Sequence, residues 1–81
     1  MAVLRLFAAA RTAAGTTRDR VPGGTVADVL DAAVARYGDE FAAVLPSCAI
    51  WVNGDPASRA TPVQDHDEVA VLPPVSGGSV S

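Results

Sequence analysis

The 81-residue sequence predicts a small α+β domain, a mixed sheet with one main helix packed across one face. Three observations point there. Hydrophobic residues make up 49% of the chain and charged residues 19%, which favours a folded globule over disorder. One segment, Thr25 to Tyr37, carries a long apolar stripe at helical spacing. Around it the order is strand, strand, helix, short helix, strand, turn region, strand, with too few strand–helix units for a doubly wound sheet. At this length one domain with a thin core is expected.

Ala2 to Phe7 reads as a strand, because Val3, Leu4, Leu6 and Phe7 suit a pleated surface and Arg5 marks a wet face. With Leu4 and Leu6 inward, Val3, Arg5 and Phe7 share the outer face. Ala8 to Gly15 is alanine-rich and reads as a short helical turn or a wide loop stopped by Gly15. Thr16 to Val21 alternates as a more polar edge strand, with Arg18 and Arg20 on its open face. Asp19 then shares the inward side with Thr17 and Val21, where a carboxylate fits poorly, so this register stays open. Pro22-Gly23-Gly24 ends the strand in a turn.

Thr25 is placed to cap the main helix through its hydroxyl, and Asp28 to answer it in a capping-box-like arrangement. Val26, Val29, Leu30, Ala33, Val34 and Tyr37 form the buried stripe. Gly38 stands where a left-handed residue ends a helix. Asp39 to Leu45 reads as a second short helix that buries Phe41, Val44 and Leu45 and is closed by Pro46. Ala49 to Val52 is a strand with Ile50 and Val52 inward. Trp51 faces the other way, as a packing residue at the sheet margin or, less favoured, a binding contact. Asn53-Gly54 is the strongest turn signal, and Asp55-Pro56 continues it. Pro62-Val63 starts a small turn, and Asp65-His66-Asp67 leads into the final strand, Glu68 to Leu72. The first and last strands are expected to pair centrally and in parallel.

Composition excludes several function classes. The net charge is −3, and the six basic residues are all arginines that never form a run. A phosphate-backbone binder needs a basic stripe, which is missing. Asp65, Asp67 and Glu68 form an acidic edge that suits either a basic partner or a solvated turn. Cys48 is the single cysteine and His66 the single histidine, which leaves no disulfide and no zinc set. Cys48 reads as a small buried hydrophobe, and His66 as an exposed turn residue rather than an oriented base. The acidic cluster matches no calcium loop, and Gly23-Gly24-Thr25 lacks the lysine and spacing of a phosphate-binding loop. No catalytic constellation stands out, so the chain is expected not to be an enzyme by itself and to hold no metal. Arg5 interrupts the first apolar run, which argues against a signal peptide, and no run reaches the roughly 20 residues that span a bilayer. The expected compartment is the cytoplasm.

The C-terminal stretch, Leu72-Pro73-Pro74-Val75-Ser76-Gly77-Gly78, organises the functional reading. A Pro-Pro step offers no N–H to a sheet, so the chain leaves it there. Two glycines without Cβ fit a channel too narrow for other residues. The alternative is a frayed end with no role. Residues 1–75 are expected to form the folded domain, and residues 76–81 a flexible tail with a three-residue extension beyond the glycines.

Val3-Leu4-Arg5-Leu6-Phe7-Ala8 with Arg11 and Gly15, Thr25-Val26, Val52-Asn53-Gly54, Asp67-Glu68-Val69-Ala70-Val71 and the Pro-Pro-Val-Ser-Gly-Gly tail resemble the MoaD/ThiS sulfur-carrier family. The resemblance covers essentially the whole chain to Gly78. The tail is closest to the molybdopterin synthase small subunit. The resemblance implies a ubiquitin-like β-grasp fold. It implies that the terminal glycine carboxylate, here Gly78 after Gly77, is adenylated by an E1-like enzyme using ATP and converted to a thiocarboxylate. The tail then inserts into the large subunit of the synthase and supplies sulfur for molybdenum cofactor biosynthesis. No cofactor is bound by the carrier itself. Phe7, Pro56 and Leu72 are implied as an exposed apolar docking surface with Arg11 nearby, and Pro73, Pro74, Val75 and Ser76 as the partner-binding arm. Two departures stand out. His66 occupies a position that the pattern usually gives to glycine, which predicts a different turn shape. Ser79-Val80-Ser81 follows Gly78, so its carbonyl lies in a peptide bond and removal by a processing metalloprotease is expected. The alternatives are a carrier for thiamine or cysteine synthesis, a non-covalent β-grasp binding module, or ubiquitin-like attachment to other proteins.

Overall fold

The computed structural model describes residues 1–74. The elements are β1 (Ala2–Leu6), α1 (Ala8–Ala14), β2 (Arg18–Val21), α2 (Val26–Tyr37), α3 (Asp39–Val44), a 3₁₀ turn (Leu45–Ser47), β3 (Ala49–Val52), β4 (Asp55–Pro56) and β5 (Glu68–Leu72). The strands form one sheet in the order β2-β1-β5-β3-β4. β1 and β5 pair in parallel at its centre, and every other pairing is antiparallel. This is the mixed sheet and the central parallel pair expected from the sequence. The expected tail, residues 76–81, lies outside the described residues, as does Val75.

The core sits between one sheet face and the helices. Leu4 and Leu6 of β1 and Val69 and Val71 of β5 meet Val26, Val29, Leu30 and Ala33 of α2, all at most 1% exposed. Phe41 of α3 is fully buried and meets Tyr37 edge-on, with ring centroids 5.2 Å apart. The alanine-rich segment resolves as α1, ended by Gly15 at φ 77°.

Several local expectations are corrected. The first strand stops at Leu6, because Ala8 turns the chain at φ 53° into α1. The second starts at Arg18 rather than Thr16. Thr25 Oγ1 accepts from the Asp28 amide at 3.2 Å, as a cap should, but the Asp28 carboxylate reaches back to the Gly24 N–H and not to Thr25. Gly38 is not left-handed: at φ 96° and ψ −164° it ends α2 and starts α3, its carbonyl accepting from Ala42. Pro46 lies inside the 3₁₀ turn, and Val44 and Leu45 are only half-buried. Asp55-Pro56 is a two-residue strand paired to β3, closed by Asn53 at φ 50° and Gly54 at φ 87°. Gly23 has no room for a side chain, since a Cβ there would lie 2.7 Å from the Val29 nitrogen.

Asp19, the awkward inward carboxylate, finds partners on α2. Tyr37 Oη donates to it at 2.6 Å and Arg36 at 2.7 Å, and Arg36 also donates to the Arg20 carbonyl. The Tyr37 hydrogen bond, then the Arg36 one, holds the Asp19 carboxyl below the ordinary range. Burial, then Asp19, pushes the Tyr37 hydroxyl up. A carboxyl lowered by folding stabilises the fold above its unfolded value, near pH 4, and the contribution is lost as the pH falls through the folded value. Asp19→Asn is therefore expected to lower stability at pH 7 and to flatten its decline below about pH 4. Urea unfolding of both proteins at neutral and acid pH measures this.

His66 keeps the left-handed conformation, at φ 74°, despite its side chain. The turn is held from both sides. The His66 N–H donates to the Met1 carbonyl, and the Asp67 carboxylate accepts from the Gln64 amide at 2.9 Å and from Asn53 Nδ2 at 3.2 Å. The N-terminal ammonium also pairs with Asp65. These bonds, those from Met1 and Asn53 reaching in from distant parts of the chain, offset a local strain of about 1 kcal/mol. His66→Gly removes the strain and is expected to stabilise the domain by up to about 1 kcal/mol, less the entropy that glycine adds to the unfolded chain. Thermal unfolding reads the difference.

Candidate functional site

The sheet face opposite the helices is the candidate site. Cross-strand register places Arg18, Arg5, Ala70, Trp51 and Pro56 in one rung across all five strands. Partners directly opposite share a face, so the rung runs from two arginines at one edge to a tryptophan and a proline at the other. Leu6 pairs with Val71 and Ala49 with Leu72, which brings Phe7 beside Leu72 on this same face. The Phe7 amide donates to the Val71 carbonyl at 3.1 Å and fixes its backbone there. None of Phe7, Trp51, Ala70, Leu72 or Pro56 belongs to the buried core or packs against it.

The predicted docking residues distribute as follows. Phe7, Leu72 and Pro56 share the face, with Phe7 and Pro56 three strand spacings apart, roughly 14 Å. Pro56 is exposed, whereas Phe7 and Leu72 are half-buried rather than fully open. The Arg5 guanidinium lies over the Phe7 ring, 5.6 Å from its centroid, and shields part of it. Arg11 is exposed one turn into α1, its N–H directed at the Phe7 carbonyl. Pro73 and Pro74 are exposed directly after β5, at the centre of the sheet. Val75, Ser76, Gly77 and Gly78 lie outside the described residues.

Sequence reasoning put Arg5 and Trp51 on the side away from the core without making either a docking residue, and it did not single out Ala70. Trp51 is half-buried, Ala70 pairs directly with it, and Arg5 covers Phe7. The alternation that sends Ile50, Val52, Val69 and Val71 inward was signal enough for Trp51 and Ala70.

The described residues offer little chemistry of their own. No group of three His, Cys, Asp or Glu side chains among them could hold a metal ion. An apolar groove on the helix side, between Leu30, Leu45, Cys48 and Ile50, has Arg59 at its rim. Its only thiol, Cys48, donates to the Val44 carbonyl at 3.2 Å, and burial pushes its pKa up, away from the reactive thiolate. Cys48 is half-buried, consistent with the packing role expected for it. His66 is exposed on the opposite end of β5 from the tail. No helix among the described residues is long and apolar enough to cross a membrane.

The ThiS family model matches residues 4–78, ending on the second glycine of the tail. The chain belongs to the ThiS family. A protein of Phaeosphaeria nodorum named molybdopterin synthase sulfur carrier subunit is 40% identical, over 89% of this chain and 84% of its own length. The solution structure of small archaeal modifier protein 1 from Methanosarcina acetivorans superposes with a TM-score of 0.84 at 32% identity, covering 95% of both chains. A complex of subunits 1 and 2 of molybdopterin-converting factor from Helicobacter pylori contains a chain of the same fold, at TM-score 0.67 and 23% identity, covering 95% of this chain and 97% of that one. The β-grasp architecture implied by the sequence resemblance is thus the fold of this ThiS family member.

Proposed function

We propose that this ThiS family chain is a sulfur carrier, the small subunit of a molybdopterin synthase. The observation that carries the reading is where the family match stops: at Gly78, leaving Ser79-Val80-Ser81 outside it. The name of the 40% identical relative supports the pathway.

The chemistry assigns this chain a narrow task. A metalloprotease removes Ser79-Val80-Ser81 and frees the Gly78 carboxylate. A carboxylate is a poor electrophile until one oxygen becomes a leaving group, so an E1-like enzyme transfers AMP from ATP onto it and releases pyrophosphate. A sulfur nucleophile then attacks the acyl carbon, AMP departs, and a thiocarboxylate remains. ATP is a substrate of the activating enzyme and binds to it rather than to the carrier. The outer face docks on the synthase large subunit while Pro73 and Pro74 direct the following residues off the sheet. Gly77 and Gly78 pass where a side chain would not. All of this takes place in the cytoplasm.

The test is the intact mass of the protein isolated from its own cells. Loss of the last three residues, followed by the mass gain of exchanging oxygen for sulfur, is the expected result. A population that is always full length overturns the reading. The likeness to a small archaeal modifier protein favours a second reading, attachment to other proteins through Gly78. Isopeptide adducts on target lysines identify that reading. The chain itself has no lysine and offers no side-chain amine for self-attachment.

A further inference from the structure

We infer that the cationic half of the outer sheet face, Arg5, Arg18 and Arg20, receives carboxylates of the same protein partner that covers the apolar half around Phe7, Trp51 and Leu72. This rests on the reading of that face as the carrier's docking surface, and it states what the partner must present.

The first support is register. Arg5 and Arg18 stand directly opposite each other on adjacent strands, and Arg20 lies on the same face opposite Val3. Like charges directly opposite destabilise a sheet. Glu68 is the only carboxylate that the strand register puts on this face, and it reaches Arg5 at 3.7 Å, both side chains 46% exposed. Asp19, between Arg18 and Arg20, turns to the other side and is occupied by Tyr37 and Arg36. Among the described residues Arg18 and Arg20 form no ion pair. The fold thus keeps a local repulsion that an external anion relieves.

The second support is the contrast with the rest of the chain. Net charge is −3, yet this face carries three arginines and one glutamate. An overall negative chain repels nucleic acid and anionic membranes at long range. Those surfaces also offer nothing to the apolar residues in the same rung. A protein surface with an apolar ridge flanked by Asp or Glu satisfies both halves, and the guanidinium fork matches a carboxylate in two hydrogen bonds. Charges at the edge of such an interface act chiefly on the rate of association.

The experiment compares the wild-type chain with R18E/R20E and R18K/R20K in two arms, with folding of each variant confirmed by its amide NMR spectrum. In the first, the synthase large subunit from the same organism is the probe. R18E/R20E is expected to associate at least about tenfold more slowly in about 50 mM salt, with the gap closing near 500 mM, and R18K/R20K to stay close to wild type. Equal rates for wild type and R18E/R20E at low salt overturn the inference and leave the synthase reading standing. In the second arm the probe is a glutamate-rich peptide containing leucine and phenylalanine. Shifts at the Arg5, Arg18 and Arg20 amides that vanish in R18E/R20E support the inference. This holds even if the large subunit fails to bind the wild type, a result that counts against the synthase reading alone. No shift with the peptide, or shifts only with phosphatidylserine vesicles, overturns it.

Discussion

Gly78→Val is expected to abolish sulfur transfer while leaving the folded body unchanged. The variant changes a residue beyond the last strand, β5, and every side chain of the core described above keeps its identity. The chemistry is another matter. On the carrier reading proposed above, the acyl carbon of residue 78 sits in the activating enzyme within bonding reach of the α-phosphate of ATP, and later against the acceptor in the synthase. A β-branched side chain beside that carbon both widens the thread and stiffens it. A displacement of the reacting atom by about 1 Å costs on the order of 100-fold in rate, so a loss of at least that size is expected. Thiocarboxylate formed from ATP and sulfide donor, read by intact mass, measures the first step, and pterin product measures the second. A chain truncated after Gly78 sharpens the test: it bypasses the protease and is expected to be active where the full chain needs processing, whereas truncation after Gly77 is inactive. If Gly78→Val carries sulfur as the wild type does, the residue is not the sulfur-bearing one.

How much of this was legible in the sequence depends on how far apart the deciding residues lie. β3, β5 and α2 were readable to the residue or nearly so, because each carries its own periodicity and its own punctuation. β4 was not: two residues, one of them proline, give no pattern, and only pairing with Trp51 makes them a strand. Asp19 looked misplaced because its partners, Arg36 and Tyr37, come from a helix a full element away. His66 predicted a changed turn because the local cost of a left-handed side chain is visible in sequence, while the bonds from Met1, Gln64 and Asn53 that hold it there are not. The candidate site divides the same way. The Pro-Pro and Gly-Gly steps are local and stood out. The outer rung, with arginines at one end and Trp51 and Pro56 at the other, exists only once the strand order β2-β1-β5-β3-β4 is fixed.

The largest stability effect is expected inside the described domain, at Phe41. Phe41 is fully buried, the largest side chain in that state, and joins α3 to α2 through its edge-on contact with Tyr37. Replacing a buried phenylalanine with alanine costs about 3–5 kcal/mol, the lost transfer energy plus the cavity left behind. A domain of this size has about 4–12 kcal/mol to lose, so Phe41→Ala removes about a quarter of it or more. The cavity also frees the Tyr37 ring, whose hydroxyl anchors Asp19 and with it the β2 edge that carries Arg18 and Arg20. Phe41→Leu keeps most of the volume and is expected to cost far less, about 1–1.5 kcal/mol. Urea unfolding of the three proteins gives both differences. Under conditions where Phe41→Ala is still folded, its Gly78 end has the wild-type sequence and is expected to accept AMP at an unchanged turnover number. A cost below about 1 kcal/mol for Phe41→Ala contradicts the packing described for α3. A lost turnover in the folded variant contradicts the independence of thread and body on which the carrier reading depends.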